Sequence, residues 1–227
     1  MGRVSRDAYA DAFRRATGRP LSSLPQLAGR TDSEIFFESL ALNDVPPGDE
    51  AEEAELLTRY FWELESAFSA RLDQVREAGR LLPGAVAAVT AAAALPGVVQ
   101  SVLTGTIEPN AAAKLRAFGL DHLFDLEIGG YGSDAYPRGS LLMMARSRAA
   151  AKYGAAFGPD STVYIADTVR DVEAASTAGA QCIAVATGRD TPAELRDAGA
   201  DPLLADLSDT DEVIMAIDRL TRVPAGR

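Results

Sequence analysis

Two carboxylates four residues apart, Asp167 and Asp171, close the segment Thr162-Val-Tyr-Ile-Ala-Asp-Thr-Val-Arg-Asp171. The apolar run reads as a buried strand ending at Asp167, with Asp171 at the start of the next helix. Carboxylates at the carboxyl end of a strand can share one hard divalent cation. Mg²⁺ suits them, because it takes oxygen ligands from one or two carboxylates together with phosphate and water. The same spacing also suits two residues capping a helix N-terminus. A second strand-like segment, Val102-Leu-Thr-Gly-Thr106, ends in a hydroxyl and a glycine. Thr104 can donate to a phosphoryl oxygen while the backbone N–H groups from Gly105 onward face the same anion. An ordinary strand-to-helix turn with a threonine cap is the plainer reading. Lys114 and Arg138, on the helices after the first two sheet segments, are the cations placed to reach such a site. A single basic residue on a helix more commonly faces solvent.

Two kinds of element must position these residues. Residues 5–79 read as helix only. Tyr9, Ala12, Phe13 and Ala16 recur at helical spacing, and Asp32 or Ser33 can cap a helix carrying Ile35, Phe36, Leu40 and Leu42. After Pro46-Pro47-Gly48, one apolar stripe runs from Leu56 through Tyr60, Leu64 and Phe68 to Leu72 and Val75. Three such helices make a small bundle. Residues 80–227 alternate instead. Strands are expected at Val98–Leu103, Phe124–Ile128, Thr162–Ala166 and Cys182–Ala186, with a weak one near Leu203–Ala205. Helices are expected at Ala111–Phe118, Arg138–Tyr153, Val169–Ala178, Pro192–Ala198 and Glu212–Leu220. This alternation predicts right-handed βαβ units, an α/β fold with a Rossmann-like parallel sheet and helices on both faces. Ligands of such sheets sit at the carboxyl ends of the strands, where Thr104 and Asp167 fall.

Composition narrows the function classes. The 227 residues hold 22 Lys and Arg against 33 Asp and Glu, a formal net charge of −11. That balance argues against a nucleic-acid or anionic-membrane surface but leaves a small phosphate ligand open. The single Cys182 excludes an internal disulfide and a zinc-cysteine cluster, in keeping with a cytoplasmic location. Residues 81–107 carry no charge, yet Pro83-Gly84 and Pro96-Gly97 split them into a short helix and a strand, which argues against a membrane span. The N-terminus has no apolar core of the signal-peptide kind.

Taken in order, these segments resemble the haloacid dehalogenase superfamily, in its phosphoglycolate-phosphatase-like branch with a helical cap. Val102-Leu-Thr-Gly105 is similar to the family's second motif, a strand ending in Ser or Thr. Arg138 stands where the third motif's basic residue is expected, with Lys114 as the competing candidate. Ile165-Ala-Asp-Thr-Val-Arg-Asp171 resembles the fourth motif, Gly-Asp-x-x-x-Asp, with Ala166 in place of Gly. Phe118–Asp125, Ala178-Gly-Ala180 and Val185-Ala-Thr-Gly188 fit the family's spacing, and Gly29-Arg-Thr-Asp32 looks like the cap loop that faces the active site. The resemblance implies a helical cap over 5–79 and a Rossmann-like core over 80–227. It also implies a Mg²⁺-dependent phosphatase acting on a small phosphorylated metabolite. Asp167 and Asp171 would then hold the metal. Thr104, with Lys114 or Arg138, would bind the phosphoryl group, and Gly105 and Arg30 would contact the substrate.

The departure from the family pattern is as informative. The family's nucleophile is the first Asp of Asp-x-Asp-Gly-Thr, which forms an aspartyl-phosphate, and the second Asp is a general acid and base. No Asp-x-Asp-Gly-Thr occurs in these 227 residues. Asp209-Thr-Asp211 has the spacing but is followed by Glu212 and opens the last helix, so it does not serve. The family's first strand, between those ending at Thr104 and Asp167, is therefore expected to be missing. The expectation is a chain starting later than its natural counterpart, with little or no turnover as it stands. The alternatives are a non-catalytic binding module and, less favoured because the carboxylate pair suits Mg²⁺, a haloacid dehalogenase.

Overall fold

A computed structural model describes residues 2–134 and 138–221. The chain divides into two compact units. One comprises Met1–Arg80, Thr104–Leu120 and Tyr131–Tyr136, and the other Leu81–Leu103, Asp121–Gly130 and Pro137–Arg227.

The first unit is helical: α1 (Gly2–Thr17), α2 (Asp32–Leu42), α3 (Glu50–Ser69) and α4 (Leu72–Ala78), joined later in the chain by α6 (Glu108–Ala117). Ala8, Ala12 and Ala16 recur every four residues on α1 and are all buried, a small-residue stripe that lets α3 approach closely. Phe13, Phe36, Leu40, Tyr60, Leu64, Phe68, Val75 and Ile107 complete one apolar core. The rings of Phe36 and Tyr60 stack at its centre, 4.3 Å between centroids. Helix starts are chemically marked: Thr31 with Glu34, and Asp49 with Glu52, form capping boxes. The start of α2 thus differs from the expectation of Asp32 or Ser33 as cap. Thr31 takes that role because the Asp32 carboxylate is turned inward. The long apolar stripe is also not one helix. It breaks after Ser69, where the Arg71 guanidinium turns back to the Ala67 carbonyl (2.7 Å) and pairs with Asp11 of α1.

The second unit is built on a parallel sheet of β1 (Val163–Ala166), β2 (Gln181–Val185) and β3 (Leu203–Leu204), in that order. Tyr164 lies beside Cys182 and Ile165 beside Ile183. Adjacent residues on a strand face opposite sides. Ile183 packs with Ala88 and Ala92 of α5 (Ala85–Ala93) and Val213, Ala216 and Ile217 of α10 (Thr210–Thr221). Ala184 packs with Val172 of α8 (Val169–Thr177) and Leu195 of α9 (Pro192–Asp197). Both faces of the sheet are therefore covered. This is the α/β architecture expected from the alternating pattern.

Two expected strands do not form. Residues 98–103 and 125–130 run side by side with one isolated parallel bridge, Leu103 to Gly130. Asp125 N donates to Gln100 O (2.8 Å) and Gly130 N to Val102 O (3.0 Å). Between these bonds Leu126–Ile128 winds into a 3-10 turn, because the Asp125 carboxylate accepts from Glu127 N and turns the chain. β-rich composition supplies side chains that suit a sheet but not the partner strand that would lock the ladder. β1 pairs with β2 alone, and no further strand stands on its other edge among the described residues.

Phe36→Ala should cost about 3–5 kcal/mol, since it removes a fully buried ring and its stacking partner's contacts. Urea unfolding checks this: the midpoint falls while the slope stays unchanged.

Candidate active site

Asp32 is the hub of the first unit's polar interior and is 2% exposed. Its Oδ1 accepts from the Tyr9 hydroxyl of α1 (2.6 Å), and its Oδ2 from Ile107 N just before α6 (2.8 Å). Its own N–H donates to Gly105 O (2.7 Å). Ser33 donates its hydroxyl to Gly132 O (2.6 Å), and Gly132 N donates to Thr106 O (3.0 Å). Three chain segments thus meet through backbone groups. The junction is too close for side chains: a Cβ on Gly105 would lie 1.9 Å from Arg30 O, and one on Gly132 1.7 Å from Gly105 O.

Within this junction Thr104 Oγ1 accepts from Thr106 N (3.2 Å), so its own proton remains to donate. The Lys114 ammonium donates to Thr106 Oγ1 (3.1 Å) and lies 5.4 Å from the centre of the Phe68 ring. Burial pushes the Asp32 carboxyl above its ordinary range, against the bonds from Tyr9 and Ile107 and the nearby Lys114 charge. Burial also lowers Lys114, while the Asp32 charge pulls it back up. Asn110 lines the small cavity here with Tyr9, Asp32, Thr106 and Lys114, and its buried Oδ1 has no hydrogen-bond partner. The Arg30 guanidinium is held by Glu38 of α2. Thr104, Gly105, Lys114 and the Arg30 backbone are therefore gathered in one unit.

Asp167 and Asp171 belong to the other unit. Asp167 leaves β1 at its carboxyl end. A Cβ on Gly188, in the loop after β2, would lie 2.3 Å from its carbonyl oxygen and 2.9 Å from its Oδ2. Thr168 is the N-cap of α8 and accepts from Asp171 N (3.2 Å). Both Asp171 oxygens are engaged: Oδ1 accepts from the Tyr164 hydroxyl (2.7 Å) and Oδ2 from the Thr168 hydroxyl (2.6 Å). Asp190 joins them from the loop after β2, accepting from Val169 N (2.7 Å).

As a metal site this is partial. Asp167 stands at a strand end, and Asp171 accepts from two hydroxyls. No group of three or more His, Cys, Asp or Glu side chains able to hold a metal occurs among the described residues. Arg138 opens the helix α7 (Arg138–Tyr153), but its side chain lies outside the described residues. The Asp209 carboxylate caps α10 through Glu212 N (2.9 Å), the helix-opening role its sequence context implies. Sequence reasoning missed Tyr9, Tyr164 and Asp190. Only Asp190 carried a usable signal, an acidic residue just after a strand exit.

A parallel sheet covered on both faces, with a carboxylate at a strand's carboxyl end, makes the second unit an α/β fold of the kind that binds ligands at strand exits. Residues 4–176 match the model of the haloacid dehalogenase-like hydrolases, and the chain belongs to that family. Solved structures share the fold. An Asp-to-Asn variant of CbbY from Rhodobacter sphaeroides, in complex with xylulose-(1,5)bisphosphate, is 21% identical over 92% of this chain and 89% of its own, with a TM-score of 0.60. A predicted phosphoglycolate phosphatase from Haemophilus somnus is 18% identical, covering 93% of this chain and 92% of its own, at 0.57. A hydrolase from Pseudomonas syringae is 18% identical, covering 96% and 93%, at 0.59. No curated protein matches the chain in sequence. Among the described residues no helix is long and apolar enough to cross a membrane.

Two outcomes follow for the second unit. Thr168→Ala should lower stability by about 1–2 kcal/mol by removing the cap and one Asp171 donor, read by urea unfolding. Burial, with the Asp171 charge, pushes the Cys182 thiol up to about 12. It therefore stays protonated at pH 8, and native alkylation by iodoacetamide should run on the order of a hundredfold slower than for a free thiol.

Proposed function

We propose that this protein is a cytoplasmic phosphatase-type hydrolase for a small phosphate monoester, working with Mg²⁺. Family membership supports the reaction class, and the observation that carries it is the Thr104-Gly105-Thr106 turn. There a hydroxyl with its proton left to donate stands at a strand-like exit, and a lysine bonds the next hydroxyl. Thr104 donates to a phosphoryl oxygen. Lys114 or Arg138 supplies the positive charge that offsets the phosphoryl group, and Arg30 contacts the substrate by giving up its pairing with Glu38. In the second unit Asp167 would be a ligand for Mg²⁺, a cation that takes carboxylate oxygens and would supply charge neutralisation. Asp171 shapes the turn that presents Asp167. To act as a second ligand it must give up the Tyr164 or Thr168 hydroxyl.

An aspartyl-phosphate route needs a nucleophilic Asp, and the 227 residues contain no Asp-x-Asp-Gly-Thr. The reading for these 227 residues is therefore a phosphatase fold that keeps the phosphate-binding turn and lacks the residue for aspartyl-phosphate turnover. The same absence favours one second reading, a binding module that retains the phosphate turn and does no chemistry.

The test is twofold. Purified chain with Mg²⁺ and a panel of small phosphate monoesters should release no phosphate above the buffer blank. Inorganic phosphate should bind, and Thr104→Val should weaken it about tenfold, the loss of one hydrogen bond to a charged group. Mg²⁺-dependent release would refute the absence of turnover. Failure of the wild-type chain to bind phosphate would sink the phosphatase reading.

A further inference from the structure

Asp32 acts on the Thr104-Gly105-Thr106 turn from both sides. Its N–H donates to Gly105 O inside the turn, and its Oδ2 accepts from Ile107 N just after it (2.7 and 2.8 Å). The two bonds fix the backbone on either side of Thr106, the residue whose N–H reaches Thr104 Oγ1 and whose hydroxyl receives Lys114. Tyr9 of α1 holds the other carboxylate oxygen, which sets the orientation of the carboxylate plane. Ser33 and Gly132 close the third side through Ser33 Oγ to Gly132 O and Gly132 N to Thr106 O (2.6 and 3.0 Å). A helix cap would need only a short acceptor at this point, and Thr31 already supplies it. A buried carboxylate is a costly way to hold a helix start, and its partners lie 23 and 75 residues away.

We propose that Asp32 is a positioning residue that sets the Thr104-Gly105-Thr106 turn in the geometry that binds a phosphoryl group. The inference rests on the phosphate-binding reading of that turn. Asp32 touches no phosphate itself. It acts by fixing where the Thr104 hydroxyl and the Thr106 hydroxyl with its lysine stand. Substitution by Asn would not open the clamp, because its amide oxygen can accept from Ile107 N while its amide nitrogen donates to a rotated Tyr9 hydroxyl. Substitution by Ala removes both side-chain acceptors, so Ile107 N and the Tyr9 hydroxyl lose their partner together while the backbone bond from residue 32 to Gly105 O stays.

The experiment uses the full 227-residue chain, inorganic phosphate as probe, and wild type beside Asp32→Ala and Tyr9→Phe. Phosphate affinity is read by calorimetry, the turn by amide hydrogen exchange at Ile107 and Asp32, and integrity by thermal unfolding. Asp32→Ala should weaken phosphate tenfold or more and speed exchange at Ile107, in a chain that still unfolds cooperatively. Tyr9→Phe keeps the carboxylate and should weaken phosphate several-fold, which preserves a readout if Asp32→Ala does not fold. A lower Tm with phosphate affinity within twofold of wild type would overturn the proposal, because a merely structural residue behaves that way. For Tyr9→Phe alone, unchanged affinity overturns it equally. Wild-type chain that binds no phosphate overturns the underlying reading and this inference together, and is distinguished because it involves no variant.

Discussion

The helical unit is organised around a carboxylate that has been taken out of water. Removing an unpaired carboxylate from solvent costs several kcal/mol even after relaxation, so Asp32 survives at 2% exposure only with its oxygens occupied. A phenol hydroxyl, a backbone N–H and the nearby Lys114 charge supply that compensation. Each donor comes from a different segment, so satisfying the carboxylate fixes α1, the start of α2 and the entry to α6 relative to each other. The glycines at 105 and 132 follow from it. Once the backbone groups of 32, 105 and 132 are drawn together, a Cβ at either position would lie under 2 Å from a neighbouring carbonyl oxygen.

The second unit obeys a different constraint. Parallel strands must be covered on both faces, and in β2 that division falls between neighbours: Ile183 serves one apolar layer and Ala184 the other. All strand exits then lie on one edge of the sheet, which places Asp167 and the loop carrying Gly188 and Asp190 together. The bond from Val169 N to Asp190 ties the exit of β1 to the loop after β2. The start of α8 is thereby held by two side chains, Thr168 and Asp190, rather than by its own cap alone.

Much of this was legible from residue pattern. The helix expected at Arg138–Tyr153 has those bounds, and the strands ending near Ala166 and Val185 differ by one residue at their ends. Periodicity reports such elements because each buries one side in its own repeat. The segments at 98–103 and 124–128 defeated it for the complementary reason. Their composition suits a strand, but a strand exists only with a hydrogen-bonded neighbour, and nothing local encodes the neighbour. The break after Ser69 was hidden in the same way, since it depends on Arg71 reaching back to Ala67 and across to Asp11. In the site, Thr104 and Asp167 stood out because strand exits are visible in sequence. Asp32 was visible as a residue near a helix start and as the end of the Gly29-Arg-Thr-Asp32 loop, but not as a buried carboxylate. Its burial depends on Tyr9, Ile107 and Lys114, which are remote in the chain.

The pair Asp167 and Asp171 shows why spacing alone does not separate a ligand from a cap. With Thr168 as N-cap, Asp171 falls at the third helical position, the place where an acidic side chain returns toward the cap. A carboxylate four residues after a strand-end carboxylate therefore satisfies both geometries at once. The choice is made by neighbours outside the motif. Tyr164, on β1 itself, directs its hydroxyl to Asp171 Oδ1 while Thr168 takes Oδ2. A cation at Asp171 would have to displace one of these bonds, each worth about 1 kcal/mol or more to a charged acceptor. The helix start behind β1 therefore depends on Asp171 keeping both hydroxyl donors, and that commitment is invisible in the spacing of the two carboxylates.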